Sequence, residues 1–297
     1  MCIRDRYLAS GIDETGSFNP DRGDRSLLFN AEHPDPNDPL HTYGVDDGTG
    51  WTDKDGKTYK FIAFYSHWMQ LTTPRDLLYR LTEAYVYTGE QRYAHKALIL
   101  LDRFADLYPD YQDGYGKGGY GVHGGKLTDY VWECSHIRHL ATAVDKVISG
   151  TRDDPELYAF LKQKAARYKL PRPKGTRELL VRNLDDGILR EGAKAILTRV
   201  VLGNEGAHQS ALAACALALN TDPETGQWLD WLFDSRPATP KTPEGATISA
   251  GGHLPGLILG ALDRDGVGAE CSPSYSLSWG TAFGEIANWL ALSLIHI

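Results

Sequence analysis

Three residues of this chain have the types and spacing needed to remove a proton beside a carboxylate group. Asn204 and His208 lie four positions apart in the sequence GNEGAHQ, so on a helix they would share one face. Tyr275 follows later, in the segment DGVGAECSPSY. Hydrogen bonds from an amide and an imidazole stabilise the charge that develops on a uronic acid carboxylate when the neighbouring C5 proton leaves. Because a tyrosine can act as acid, base or both, the three side chains indicate β-elimination, the reaction of a polysaccharide lyase.

Each of the three residues also has a structural interpretation. Asn204 follows a glycine and precedes an apolar helix, a position typical of an N-cap. His208 begins a run of small residues, where a histidine can be part of the core. Tyr275 is one of 16 tyrosines, and its setting in the second motif is the reason to select it. The sequence leaves the structural and the catalytic interpretations open.

The two motifs, GNEGAHQ followed by an alanine-rich helix and DGVGAECSPSY, resemble those of the heparinase II/III-like family. This family includes alginate, oligoalginate and heparin or heparan sulfate lyases. The resemblance implies that Asn204 and His208 neutralise the substrate carboxylate, with His208 also a candidate base. It implies that Tyr275 is the general acid or the acid/base. In several family members the Asn and the His are adjacent, whereas three residues separate them here.

The same resemblance implies the fold, the substrate and the location of the protein. The fold would be an (α/α) toroid of helical hairpins, and the substrate an anionic polysaccharide or oligosaccharide. Family members often continue into a β-sandwich domain, which supplies another Tyr or His and, in some, a structural zinc. We interpret that domain as truncated away, so we expect no cofactor in this fragment. The expected location is periplasmic or secreted.

Further residues are candidates for binding the sugar. Trp132 and Glu133 form a dipeptide that resembles a recurrent one in these toroids, where the Trp would stack on a sugar and the Glu would fix a loop. Core packing is the competing interpretation of this pair. Glu270, in the second motif, would orient a loop or contact sugar hydroxyl groups. The remaining candidates for substrate binding are Glu205, Gln209 and His67.

Composition and motifs argue against several other classes of protein. The net charge of −8 provides no long-range attraction for nucleic acid, and no nucleic acid-binding motif is present. No apolar run reaches the roughly 18 residues that suggest a membrane helix. Cys134, Cys215 and Cys271 are widely spaced and form no CxxC pair. His136 and His139 lack the HExxH arrangement, so no metal site is predicted.

Apolar residues recur at helical spacing along most of the chain, which predicts an all-α fold. Helical hairpins of this kind bury their faces only against neighbouring hairpins, so we expect an incomplete toroid. The toroid would occupy residues 61–291, preceded by a loop-rich region at 7–60 that packs on it. The predicted helices are 76–88, 91–108, 128–148, 155–168, 178–201, 207–219, 226–234 and 279–290.

Both ends of the sequence have an unusual property in common. DNA strings that would encode them are reverse complements of each other over most of their length, as expected for an adapter used to prepare DNA for sequencing. We therefore interpret residues 1–6 and 292–297 as adapter-derived, and we expect the natural protein to extend beyond both ends.

Two other functions are compatible with the sequence. A toroid-type glycoside hydrolase would use paired carboxylates, for which Asp185, Asp186, Asp265 and Glu270 are available. A non-catalytic toroid would bind glycans without cutting them. Residues 162–182 contain eight basic side chains against a single acidic one, and this run either contacts a polyanionic sugar or forms a solvated face.

Overall fold

The computed structural model describes residues 35–38, 51–52, 58–59, 61–111, 126, 130–152, 154–201, 203–235, 251–269 and 272–295. Among these, residues 51–73, 130–131 and 294–295 are described by their backbone alone. The chain divides into two compact units, residues 1–72 and 73–297. Most of the described residues are helical, which confirms the prediction of an all-α protein.

In the first unit, the described backbone forms a small hairpin and the start of a helix. Strand β1 (Trp51–Thr52) pairs antiparallel with β2 (Thr58–Tyr59). Helix α1 (Phe61–Thr88) begins in this unit and continues into the second. Most of the predicted loop-rich region at 7–60 lies outside the described residues.

The described part of the second unit continues as a series of helices, and each predicted helix has a counterpart among them. The last one begins at Pro273 rather than at 279, so that Tyr275 belongs to it. None of the described helices is long and apolar enough to cross a membrane. The helices are α2 (Gln91–Leu107), α3 (Tyr130–Val147), α4 (Pro155–Tyr168), α5 (Arg177–Leu184), α6 (Glu191–Leu197), α7 (Ala207–Leu219), α8 (Glu224–Phe233), α9 (Leu254–Gly260) and α10 (Pro273–Ile295).

The predicted helix at 178–201 is interrupted in the middle. A π-helical turn, Asp185–Arg190, joins α5 to α6. Gly187 in this turn lies so close to α2 that a Cβ atom there would be 2.2 Å from the carbonyl oxygen of Ala105. Because no side chain fits at this contact, the glycine is what allows α2 to pack against the π-helical turn.

Helix α7 is the centre of the second unit. Most of its residues are buried, on all sides of the helix, and many of them are alanines. A helix that is apolar all round is expected in the core of a protein. Helices α3, α6, α8 and α10 pack on it. The residues that immediately precede α7 are therefore positioned between elements from distant parts of the chain.

Candidate functional site

A cavity of about 630 Å³ lies in the second unit between α3, α10 and the start of α7. Its volume is within the range of roughly 300–1,000 Å³ that small-molecule sites occupy. The lining residues come from segments far apart in sequence. Those with polar or aromatic side chains include Trp132, Arg138, Asn204, Glu205, Ser210 and Tyr275.

The turn at residues 203–206 forms one wall of this cavity, and two glycines allow it to pack closely against the neighbouring helices. A Cβ atom on Gly203 would lie 2.7 Å from the Sγ atom of Cys134 on α3. Gly206 has a φ of +89°, and a Cβ atom there would lie 2.8 Å from the Cβ atom of Ala282 on α10. Positive φ is unfavourable for residues that carry a side chain. The glycines of GNEGAHQ therefore hold the turn in contact with both neighbouring helices.

Asn204 lines the cavity from this turn and not from a helix. Helix α7 begins at Ala207 and its N-cap is Gly206, so the interpretation of Asn204 as the N-cap is wrong. The backbone carbonyl of Asn204 accepts a hydrogen bond from the Ala207 N–H at 2.9 Å. Because the turn intervenes, Asn204 and His208 do not share a helical face as their spacing predicted. Asn204 and Glu205 both line the cavity.

His208 is buried behind the turn and does not line the cavity. Its residue surface is 6% exposed, and its Nδ1 atom donates a hydrogen bond to the Gly203 carbonyl oxygen at 3.1 Å. Its ring meets Trp231 edge-on, with ring centres 6.3 Å apart. Burial lowers the pKa of His208 and outweighs the nearby Glu205, whose negative charge acts to raise it. The structure therefore places a neutral His208 as a support of the turn.

Gln209 is fully buried and binds the same turn from the first turn of α7. Its Oε1 atom accepts a hydrogen bond from the Gly206 N–H at 2.7 Å. Its Nε2 atom donates to the Glu205 carboxylate at 2.8 Å and to the Gly252 carbonyl at 3.0 Å. These bonds satisfy an N–H group that the start of a helix leaves unpaired. Gln209, predicted to bind substrate, instead holds the cavity residue Glu205 in place.

Tyr275 reaches the same cavity from the first turn of α10, with 43% of its surface exposed. The segment before α10 folds back against this helix. A Cβ atom on Gly268 would lie 2.5 Å from the ring of Trp279, and a Cβ atom on Gly280 would lie 2.7 Å from the Gly266 carbonyl oxygen. Gly268 in the motif and Gly280 on α10 thus allow the segment to pack tightly on α10, at the end that carries Tyr275.

The adjacent residues Trp132 and Glu133 lie in opposite environments. Trp132 lines the cavity and is 55% exposed. Glu133 is fully buried, and its carboxylate accepts hydrogen bonds from the Tyr108 hydroxyl at 2.8 Å and from the Lys126 N–H at 3.4 Å. Trp132 is therefore accessible from the cavity. Glu133, predicted to bind substrate, belongs to a buried network that connects α3 to the end of α2.

Arg138 lines the cavity, and the sequence analysis missed it. It follows Trp132 and Ser135 on α3 at intervals of three residues, so the three side chains share one face of the helix. Its guanidinium group forms an ion pair with Glu285 on α10. Arg138 is the only cationic side chain among the described lining residues. The helical spacing W-x-x-S-x-x-R is the signal that could have identified it.

The side chains of two predicted substrate-binding residues lie outside the described part of the structure. Glu270 lies outside the described residues. His67 lies in α1, but its side chain is outside the described part of the structure.

Of the carboxylates considered for a hydrolase, the three that the structure describes, Asp185, Asp186 and Asp265, do not line this cavity. Asp185 and Asp186 belong to the π-helical turn, where burial raises the pKa of Asp185 to about 6 and Asp186 pairs with Arg190 at 2.8 Å. Asp265 lies in an exposed turn, where its carboxylate accepts a hydrogen bond from a backbone N–H group. Glu205 is the only carboxylate among the described lining residues, so the pair that a hydrolase requires is not formed by them.

No group of three or more His, Cys, Asp or Glu side chains suited to a metal ion occurs in the described part of the chain. His136 and His139 on α3 are both neutral at pH 7, because burial, and then nearby cations, lower the pKa of each to about 4. In comparisons with known proteins, no family model, no curated protein and no solved structure matches this chain. Its function must therefore be argued from the residues of the cavity.

Proposed function

We propose that this chain is part of a polysaccharide lyase, which cleaves a uronic acid-containing polysaccharide by β-elimination. The observation that carries the proposal is that Asn204 and Tyr275, from two separate motifs, line one cavity. Arg138 and the exposed Trp132 line it too. An amide, a phenol, a cation and an aromatic ring are therefore available to the same sugar residue.

In this proposal, the substrate carboxylate binds the Asn204 amide and the Arg138 guanidinium group. When the C5 proton leaves, negative charge spreads from C5 onto the neighbouring carboxylate. N–H donors already aimed at that carboxylate stabilise the enolate-like state. Arg138 has five N–H donors, and its ion pair with Glu285 uses only part of them. The ion pair orients the guanidinium group and leaves donors for the substrate.

Tyr275 transfers the protons in this proposal. The phenolate oxygen takes the C5 proton, and the electron pair of the C5–H bond forms a double bond between C4 and C5. The bond from C4 to the glycosidic oxygen breaks, and the same phenol donates its proton to that oxygen. The reaction consumes no water and yields an unsaturated uronate and a free hydroxyl group. The exposed position of Tyr275 at the cavity supports this role.

The other predicted site residues have supporting roles in the proposal. Trp132 stacks on a sugar ring, and Glu205, held by Gln209, hydrogen-bonds sugar hydroxyl groups. The hydrogen bond from His208 to Gly203 makes it a positioning residue for the turn that carries Asn204. This role replaces direct contact of His208 with the substrate.

We also propose that the helices form an incomplete (α/α) toroid, followed in the natural protein by a β-sandwich domain. The resemblance of the two motifs to heparinase II/III-like lyases supports this, as does the short connection between α1 and α2. The resemblance also supports a periplasmic or secreted location, where a large polysaccharide is accessible. Any zinc would belong to the β-sandwich domain.

Ultraviolet absorbance of the new double bond tests the proposal directly. The full chain is incubated with alginate, heparan sulfate, chondroitin and hyaluronan in turn. Tyr275→Phe and Asn204→Ala are each expected to lower kcat by about 100- to 1,000-fold, the usual cost of removing one transition-state donor. Tyr87→Phe is the matched control, because Tyr87 is 83% exposed and does not line the cavity.

The other outcomes of this assay each identify a different function. New reducing ends without a double bond would replace the lyase proposal with a hydrolase. Binding of a polymer without cleavage would indicate a glycan-binding protein. Absorbance that rises equally in Tyr275→Phe would exclude Tyr275 as the acid/base.

A further inference from the structure

Helix α4 and its C-cap carry four cations that form no ion pair with a described carboxylate. Lys162, Lys164 and Arg167 lie on α4, and Lys169 is its C-cap. None of the four forms an ion pair with a described residue, whereas cations elsewhere, such as Lys174, do. Lys164 is half-buried and the other three are exposed. We call these four residues the α4 basic surface.

Two aromatic rings lie against two of these cations, Lys164 and Arg167. The Nζ atom of Lys164 lies 5.1 Å from the ring centre of Phe160 and 5.9 Å from that of Tyr168. The guanidinium carbon of Arg167 lies 5.3 Å from the ring centre of Tyr168. Tyr168 is 58% exposed. Cations and an exposed ring are thus presented together, which suits an anionic sugar because its carboxylates pair with cations while its ring stacks on an aromatic face.

Stabilisation of the helix explains only part of this surface. Cations near a helix C-terminus interact favourably with its dipole, which accounts for Arg167 and Lys169. The last carbonyls of α4 are already bound by the backbone N–H groups of Lys169 and Leu170. Lys162 and Lys164 lie farther from that end, and α4 has a single acidic residue, Glu156, in its first turn.

We propose that the α4 basic surface binds an anionic polysaccharide at a place separate from the cavity. Helix α4 packs on α2 and contributes no residue to the cavity, whose walls come from α3, α7, α10 and the turn before α7. The choice of a polysaccharide over another polyanion rests on the proposed function. Binding here would keep the polymer attached to the protein between cleavage events.

Fluorescence anisotropy with labelled alginate and heparin oligosaccharides tests this inference. The full chain carries Tyr275→Phe, so that the polymer is not cut during the measurement. Lys164→Glu with Arg167→Glu is compared with Arg80→Glu and Lys96→Glu, a control pair of exposed cations on α1 and α2 that changes the net charge equally. The milder pair Lys164→Gln and Arg167→Gln guards against misfolding, which circular dichroism would detect.

The α4 pair is expected to weaken binding about tenfold at low salt, and the control pair less than about twofold. Equal weakening by both pairs would overturn the proposal, because it would show an effect of net charge alone. Absence of polysaccharide binding would overturn it too, and so would binding of single-stranded DNA as tight as that of the oligosaccharides. The chain without substitutions is tested separately for cleavage, by the absorbance assay. If it cleaves no polymer but binding still depends on the α4 pair, the lyase proposal fails while the α4 basic surface stands.

Discussion

Polar side chains gather at two places in the second unit, and the two places differ in what completes their interactions. In the first, the Nζ atom of Lys174 lies 2.6 Å from Asp102 and 2.7 Å from Asp106, and Asn183 donates to Asp102 at 2.8 Å. The side chains of Lys174 and both aspartates are at most 6% exposed. We call these four residues the buried cluster. It links α2 to α5 and to the segment before it.

The cavity is the second place, and its polar groups face open space. Tyr275 and Trp132 keep about half of their surface exposed, and Asn204 and Arg138 line the same volume. Charges that are paired inside a protein contribute to folding, but they are not available to a ligand. The comparison teaches that the sites which hold this fold together and the site which can do chemistry use the same residue types, and that exposure distinguishes them.

Removal of Lys174 is expected to have the largest effect on stability. Lys174→Met leaves two buried carboxylates without their cation, which should lower the free energy of unfolding by about 3–5 kcal/mol. Urea unfolding at pH 7 measures this. Lys162→Met is the matched control, because Lys162 is exposed, and a change within about 0.5 kcal/mol is expected.

The same variant has a pH dependence of defined sign. Burial raises the pKa of Asp102, and Lys174 acts to lower it. Without Lys174 the folded-state pKa rises further, so the folded protein binds more protons than the unfolded chain between the two pKa values. The loss of stability in Lys174→Met should therefore shrink as the pH falls towards 4. A loss that is equal at pH 7 and pH 4 would show that charge pairing does not stabilise the buried cluster.

The turn beside the cavity should respond to a single added methyl group. Gly206→Ala forces a side chain into a φ of +89° and within 2.8 Å of Ala282, which should cost about 1–3 kcal/mol of unfolding free energy. Gly284→Ala on α10 is the control, because nothing lies within 4 Å of the added atom. That control should gain up to about 1 kcal/mol from helix propensity. Equal effects of the two substitutions would mean that the turn does not require a glycine at position 206.

Much of the fold could be predicted from the sequence, because the spacing of apolar residues depends on the helix itself. The helix boundaries at Thr88 and Pro155 follow from local signals, a glycine after the first and an aspartate before the second. The start of α10 was missed because its first six residues, PSYSLS, are too polar to show the periodicity. Local sequence is therefore sufficient for the existence of the helices, and less so for their ends.

The direction of side chains could not be predicted, because it depends on which elements surround a helix. Asn204, Glu205, His208 and Gln209 belong to one motif. Only His208, which packs against Trp231 of α8, and Gln209, which binds the Gly252 carbonyl, are buried. Asn204 and Glu205 line the cavity because they belong to the turn before α7 and not to the helix itself. Motif membership alone did not separate residues that can contact a ligand from those that hold the motif in place.

His136 and Arg138, two positions apart on α3, provide an intermediate test of the comparison. Burial lowers the pKa of His136 to about 4, so the folded ring stays neutral where the unfolded one, with a pKa of about 6.5, is protonated. The unfolded chain then binds more protons, and the free energy of unfolding should fall as the pH drops from about 6.5 to about 4. His136→Gln should remove about 2–3 kcal/mol of that decrease. Arg138→Gln should change the decrease less, because arginine does not titrate in this range and acts here only by lowering the pKa of the neighbouring His139.

The smallest effect on stability is expected when a tyrosine hydroxyl is removed at the cavity. The same substitution at a buried tyrosine provides the comparison. Tyr108→Phe removes a buried hydroxyl that donates to Glu133 at 2.8 Å, and should cost about 1–3 kcal/mol because the carboxylate loses a partner. Tyr275→Phe removes a hydroxyl from a side chain at the open cavity, and should change the free energy of unfolding by less than about 0.5 kcal/mol. Thermal and urea unfolding measure both. If Tyr275→Phe were as destabilising as Tyr108→Phe, the phenol would be a structural group, and its loss of activity would no longer identify it as the acid/base.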